Sequence, residues 1–347
     1  MAILAGQCTG CGQYWPRSPM SEDLKMALIA RKTAMVARWV LLSLVIPLAA
    51  CSKSEKPAAE PASVAASSIM VFASPDAAGT KLQEVAKSGD QNALLRVFGA
   101  DSKELILSGD AVQDKAAVGS FVSGYEIMHR WRKMPGDAQV LLIGADNFPF
   151  PIPLKKNAEG QWFFDTNAGK DEILSRRIGR NELAVIEACR AAAYAQAEYA
   201  KQVHDGAGTR QYAVKFISDA GRQNGLYWPS EGDQPKSPLG PLVVFATTEG
   251  YEAKPDQHIP FHGYYFHMLN RQGPHAPGGA KDYVVNGTMI GGFAFVAYPA
   301  EYRNSGVMTF MINQDGVLLQ KDLGKATADA ATMTEFDPDA DWSPVAD

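Results

Sequence analysis

The sequence predicts an α+β fold: N-terminal helices followed by an antiparallel sheet, then a long helix packed on a second antiparallel sheet. Three observations lead there. Apolar residues recur at helical spacing from Asp76 toward Trp131, and the pattern then changes to short extended runs. An Ala/Tyr-rich stretch from Asn181 to His204 carries a narrow apolar stripe. Finally, two alternating runs, Val307–Asn313 and Val317–Lys321, flank Gln314-Asp315-Gly316, a strong hairpin signal.

The elements follow in order. Asp76 to Val85 reads as a helix capped by Ser74 or Asp76, with Leu82, Val85 and Ala86 on one side. Asp90 to Phe98 is a second helix, stopped by Gly99. Asp114 to Trp131 is a third, with Val118, Phe121, Val122 and Tyr125 in a stripe. Gln139–Gly144 and Gln161–Asp165 read as strands, Phe150–Leu154 as an extended segment, and Asn157–Gly160 as a turn. Helices before a curled antiparallel sheet resemble the cystatin-like, nuclear-transport-factor-2-like cone. A helical stretch from Ala168 to Ile178 then meets Gly179, and Asn181 caps the longer helix. Its stripe of Ile186, Cys189, Ala193, Ala197 and Ala200 suits close seating on a sheet. Leu242–Thr247, Gly263–Leu269 and Gly292–Tyr298 complete the expected strands, and the acidic tail beyond Lys325 reads as loosely docked.

Composition narrows the function. A net charge of −5 gives no electrostatic footprint for nucleic acid. The strongest single signal is Trp39-Val-Leu-Leu-Ser-Leu-Val-Ile-Pro-Leu-Ala-Ala-Cys51, preceded by Arg31, Lys32 and Arg38. A basic region, a short apolar core and small residues make an export signal. The core is shorter than the roughly 20 residues that cross a bilayer. Leu48-Ala49-Ala50-Cys51 resembles a bacterial lipobox, which implies cleavage before Cys51 and acylation of that cysteine. Ser52 at the next position is associated, by the same resemblance, with outer-membrane sorting in Gram-negative cells. Met26 gives the best-shaped start for this signal. The Cys8/Cys11 pair lies upstream of it and has no second pair to complete a metal site. Ser52–Ser68 holds almost no large apolar residue and reads as a tether reaching roughly 20–25 Å. The expected organisation is a signal region at 1–50, a lipidated cysteine and tether at 51–69, an α+β domain at 70–166, a helix-on-sheet domain at 167–325 and an acidic tail at 326–347. About three hundred residues remain after cleavage, room for two such domains. An acylated Cys51 leaves Cys189 as the mature chain's one thiol, so no internal disulfide is expected.

The stretch from Phe148 to Asp322 resembles domain-of-unknown-function family 2950, a set of exported bacterial proteins. The resemblance is carried by Phe148-Pro-Phe-Pro-Ile-Pro153, Arg176-Arg-Ile-Gly-Arg-Asn-Glu182, Asn224-Gly-Leu-Tyr-Trp-Pro229 and His262-Gly-Tyr-Tyr-Phe266. Asp282-Tyr-Val-Val-Asn-Gly287, Met289-Ile-Gly-Gly-Phe293, Ala297-Tyr-Pro-Ala-Glu-Tyr302, Ser305-Gly-Val-Met-Thr-Phe310 and Asn313-Gln-Asp-Gly316 add to it. It implies no particular activity. The helix at Asn181 with the later strands is also similar to the globular head of type IV pilin-like proteins. The preceding Ser175-Arg-Arg-Ile-Gly-Arg is not the apolar segment that a filament subunit needs.

Chemistry-bearing groups are few. Tyr227, Trp228 and Tyr264, with His262, are the candidate binding residues, because exposed aromatics suit stacking on sugars or anchoring a partner; the competing reading is that Trp228 plugs the edge of the core. His258, His262, His267 and His275 fall close together, but Pro260 and mismatched strand parity spoil a metal-binding spacing. No cofactor or metal is expected. Asp337-Pro-Asp-Ala-Asp341 lacks the glycine of a calcium loop. Ser305 has no predictable His and acid partners, and the Cys189 stripe points inward. Two expectations result. One is an envelope lipoprotein, anchored on the periplasmic side, that binds an envelope protein or cell-wall glycan without catalysis. The other is a periplasmic hydrolase or metal-dependent enzyme using His258–His275 with Asp256 or Asp282.

Overall fold

The computed structural model describes residues 69–230, 232, 234–252 and 259–346. The export signal, Cys51, the tether, Asp256 and His258 lie outside the described residues.

Two helices open the fold as the sequence predicts. Ser74 accepts from the Ala77 amide at 3.1 Å and starts α1 (Pro75–Ser88), with Pro75 in the first turn. Asp90 caps α2 (Gln91–Phe98) through the Ala93 amide. A short α3 (Lys103–Ile106), which the sequence reading missed, precedes α4 (Ala111–Ile127). The helix expected at Asp114–Trp131 is α4, which begins three residues earlier and ends four residues earlier. Trp131 sits in β1 (His129–Lys133), which pairs antiparallel with β2 (Gln139–Ile143). Three charged residues surround that tryptophan, so the strand carries no run of alternating apolar residues to announce it. β3 (Phe148–Pro149) and β4 (Leu154–Lys156) join β2, and β5 (Trp162–Phe164) closes the sheet in the order β1-β2-β4-β5. Its core is aromatic: Phe98 meets Phe164 edge-on at 5.3 Å, and Phe150 meets Phe121 at 5.4 Å.

The largest correction is α5. It is one helix, Thr166–Tyr199, capped by Asp165 and unbroken at Gly179. A glycine inside a helix costs about 1 kcal/mol against alanine, which long helical flanks can absorb. Asn181 is thus no cap but a buried residue in the middle of the helix. The buried stripe is also rotated from the expected one, and runs through Val185, Ala188, Cys189, Ala192, Ala195, Gln196 and Tyr199. Ala193 is half-buried and Ala197 exposed.

A second correction is α6 (Gly240–Glu249), where the sequence reading placed a strand at Leu242–Thr247. Val243 and Val244 favour a strand, but Pro241 in the first turn and Gly250 in the left-handed conformation mark a helix. The Thr247 and Thr248 hydroxyls turn back onto the Val243 and Phe245 carbonyls at 2.8 and 2.7 Å.

The remaining strands are β6 (Tyr264–Leu269), β7 (Arg271–Gln272), β8 (Lys281–Asp282), β9 (Val284–Val285), β10 (Thr288–Met289), β11 (Ala294–Pro299), β12 (Met308–Asn313) and β13 (Leu319–Asp322). Two short strands, β14 (Glu335–Phe336) and β15 (Ser343–Pro344), end the chain. The main sheet runs β15-β13-β12-β11-β6, all antiparallel, with Phe310 opposite Gln320 across the predicted hairpin. α5 packs on β12, and the 3-10 turns of Gly324–Thr332 lie against β11. The sheet is covered on both faces: every residue of β11 is buried, and so are the last five of β12. The expected loose tail is instead built in. Phe336 enters the core, β15 pairs with β13, and the Val345 amide donates to Leu318 at 2.9 Å.

Candidate functional site

Two places gather polar and aromatic side chains, and the first of them holds several residues that the sequence singled out. The first is a seam where α4, the middle of α5 and the loops around His262 and Ser305 meet. Asp110 anchors one end. Its Oδ1 accepts from the Val112 and Gln113 amides and so caps α4. Its Oδ2 accepts from the Tyr251 hydroxyl at 2.6 Å and the Gly263 amide at 3.3 Å. Burial, with the Asp110 carboxylate, pushes the Tyr251 phenol far above its ordinary range. His262 has a positive φ of 48°. Its amide donates to the Tyr251 oxygen, and its ring lies between Glu249, 3.0 Å from Nε2, and the Gln113 amide, 3.3 Å from Nδ1. Hydrogen on Nε2 satisfies both ring contacts.

The other end of the seam is on α5. The buried Arg177 guanidinium donates to the Asn304 side chain and the Leu105 carbonyl. Burial pulls its pKa down, while the Asp114 and Glu301 charges oppose that shift. Asn181 Nδ2 donates to the Ser305 carbonyl at 2.8 Å. Glu182 Oε1 accepts from the Val307 and Met308 amides, both at 2.9 Å, fixing the start of β12. Tyr264, 0% exposed, donates to the Met308 carbonyl at 2.9 Å. Two glycines allow these approaches. A Cβ on Gly306 would lie 2.1 Å from the Tyr264 oxygen, and one on Gly263 would lie 2.7 Å from Asn181 Nδ2. Several of the quoted family motifs therefore converge on this seam, in hydrogen bonds that hold backbone in place.

The predicted binding residues are dispersed. Trp228 is 5% exposed, donates to the Pro235 carbonyl and packs edge-on to Tyr199. Tyr227 is half-buried against the same core. The exposure that stacking requires is thus missing for Trp228 and Tyr264, because each plugs the core. The histidines are also separate: His262 pairs with Glu249, His267 with the Met333 carbonyl, and His275 with Asp337. Among the described residues no three His, Cys, Asp or Glu side chains group as a metal site. Asp339 and Asp341 pair with Lys321. Ser305 is buried, its hydroxyl held by the Glu301 backbone. Burial pushes the Cys189 thiol well above its ordinary value, so it is an inert core residue.

The second place is a groove on the outer side of α5, which no sequence pattern announced. It encloses about 300 Å³ between Ala193, Tyr194 and Ala197 on the helix and Tyr212, Phe293 and Gln314 opposite. The Tyr212 and Phe293 rings pack at a 57° tilt, 5.0 Å between centroids. A second hollow of about 220 Å³ is lined by Tyr199, Arg222 and Asn224 and shares Tyr212 with the first. Tyr194 stands at the rim, 67% exposed. Arg190 of the first hollow and Arg222 of the second are paired with Glu187 and Asp205. Both arginines therefore have an acidic neighbour, and the groove offers no concentrated cationic field.

The chain belongs to the family described as "Protein of unknown function (DUF2950)", whose model matches residues 70–345. The match reaches beyond Phe148–Asp322 at both ends and takes in α1 to α4 and β14. No curated protein matches the chain, and no solved structure matches it.

Proposed function

We propose that the chain is an exported lipoprotein of the bacterial cell envelope that works by binding an envelope component. Cys51 is the point of acylation. The protein is held on the periplasmic side, with Ser52 favouring the outer membrane in Gram-negative cells. The observation that carries this reading is the run from Arg31 to Cys51, basic then apolar then small, followed by the Ser52–Ser68 tether. The groove along α5 supports a binding role, since it joins aromatic walls to polar rims and is open to solvent. Most hydrogen bonds of the seam hold backbone in place, although Asn181 Oδ1 is buried there without a partner, and the groove is the more open of the two places.

Fractionation of cells expressing the full chain or Cys51→Ala tests the reading. Wild type should sediment with membranes and incorporate labelled fatty acid, and globomycin should leave its signal uncleaved. Cys51→Ala should incorporate no label and leave the membrane fraction. Unchanged sedimentation of Cys51→Ala with membranes would overturn the anchor.

A further inference from the structure

We propose that the groove beside α5 binds an uncharged, N-acetylated oligosaccharide, in two subsites that share Tyr212. This deepens the envelope-binding reading and rests on it. The helix itself makes the space. Ala193 and Ala197 are one turn apart on the same side, and their methyl groups leave a channel where longer side chains would fill it. Phe293 and Ile312 lie beneath at 3% and 1% exposed, so the Ala193 and Ala197 methyl groups form the accessible apolar floor. Tyr194 and Tyr212 bring aromatic faces and hydroxyls to the edges.

A pyranose ring has the matching character, with C–H bonds on its faces and hydroxyls around its rim. Aromatic faces take the former and phenol or amide groups the latter. The floor adds a further preference. A hydroxyl pressed against the Ala193 and Ala197 methyl groups would lose its water without gaining a partner, whereas an acetamido methyl would not. Charge decides against a polyanion. Glu187 and Asp205 offset the two arginines, and Glu198, held below the ordinary carboxylate range by Lys201, borders the Tyr194 rim. The hollow of about 300 Å³ is at the small end of ligand sites and the one of about 220 Å³ falls below it, each of a size for no more than a single sugar unit. Tyr212 lines both, so successive units of one chain would share contact with one ring.

The test is a calorimetric titration of the full chain with chitotetraose. Cellotetraose, which lacks acetamido groups, a sulfated oligosaccharide and an oligopeptide serve as comparators. Chitotetraose should bind most tightly. Tyr194→Ala and Tyr212→Ala should each weaken it about fivefold or more, and Tyr212→Phe, which keeps the ring, should stay within about twofold. Leu183→Ala, exposed elsewhere on α5, should bind as wild type does. Tyr194 is exposed enough that its variant folds even if Tyr212→Ala does not. Absent binding of chitotetraose, undiminished binding by Tyr194→Ala, or tighter binding of the peptide or the sulfated sugar would overturn the proposal. An acylated, membrane-bound chain that ignores chitotetraose sinks the saccharide site alone. A chain that binds it without acylation sinks the anchor alone.

Discussion

The seam and the groove use the same residue types, Tyr, Arg, Asn and Glu or Gln, around the same helix, and put them to opposite use. At the seam, Tyr251 and Tyr264 are buried and both hydroxyls are spent on named partners. At the groove, Tyr194 faces water and Tyr212 lines two hollows. The first half of α5 supplies Arg177, Asn181 and Glu182 to lock backbone, while the second half supplies Ala193, Tyr194 and Ala197 to leave a channel. The lesson is that motif density marks where a chain is difficult to fold as readily as where it acts. The family motifs around His262 and Ser305 hold irregular loops whose amides would otherwise be buried without partners, at a cost of about 1–3 kcal/mol each.

That comparison breaks most visibly if the shared sheet is weakened. Phe310→Ala removes a fully buried ring that packs near Tyr264 on the β12 strand supporting both regions, and should cost about 3–5 kcal/mol in urea unfolding. Asp110→Ala comes next. It uncaps α4 and strands the Tyr251 hydroxyl and Gly263 amide, for about 2–4 kcal/mol. A loss below about 0.5 kcal/mol, the range of ordinary surface changes, would show that the seam does not hold the fold.

A smaller effect concerns the tail. Asp337 accepts from the His275 amide and faces its Nδ1, both at 2.8 Å, and this hydrogen bond and charge raise the His275 pKa above its ordinary 6.5. The raised folded value fixes the sign. The pairing contributes fully below pH 6.5 and is lost as pH rises through the higher folded pKa. Hydrogen exchange at β14 should therefore quicken as pH climbs from 6.5 beyond the chemical trend, and His275→Ala should flatten that response. An identical pH response in the variant would remove the latch from the account.

Legibility followed locality. The Ser74 and Asp90 caps, the Asn157–Gly160 turn and the Asp315-Gly316 hairpin were readable because each is decided within a few residues. α6 was misread because the β-branched Val243 and Val244 outweighed the quieter signals of Pro241 and Gly250. The break expected at Gly179 and Asn181 vanished because Asn181 has its partner, Ser305, 124 positions away. The acidic tail concealed Phe336, a single aromatic that decides where the segment lies. For Trp228 the Gly/Pro-rich loop left two readings, an exposed platform or a plug at the edge of the core, and Tyr199 and Pro235 make it the plug. The groove was invisible for the same reason. Its walls come from α5, the Tyr212 loop and the β11–β12 edge, and no spacing in the chain records their meeting.

The most direct test crosses the two regions: thermal stability and chitotetraose affinity measured together on Asp110→Ala and Tyr194→Ala. Asp110→Ala should melt clearly lower than wild type and, while folded, bind the saccharide with wild-type affinity. Tyr194→Ala should keep the wild-type melting temperature and lose about fivefold or more in affinity. If Asp110→Ala instead loses affinity at unchanged stability, while Tyr194→Ala binds normally, the seam is the functional site and the division drawn between the two regions is wrong.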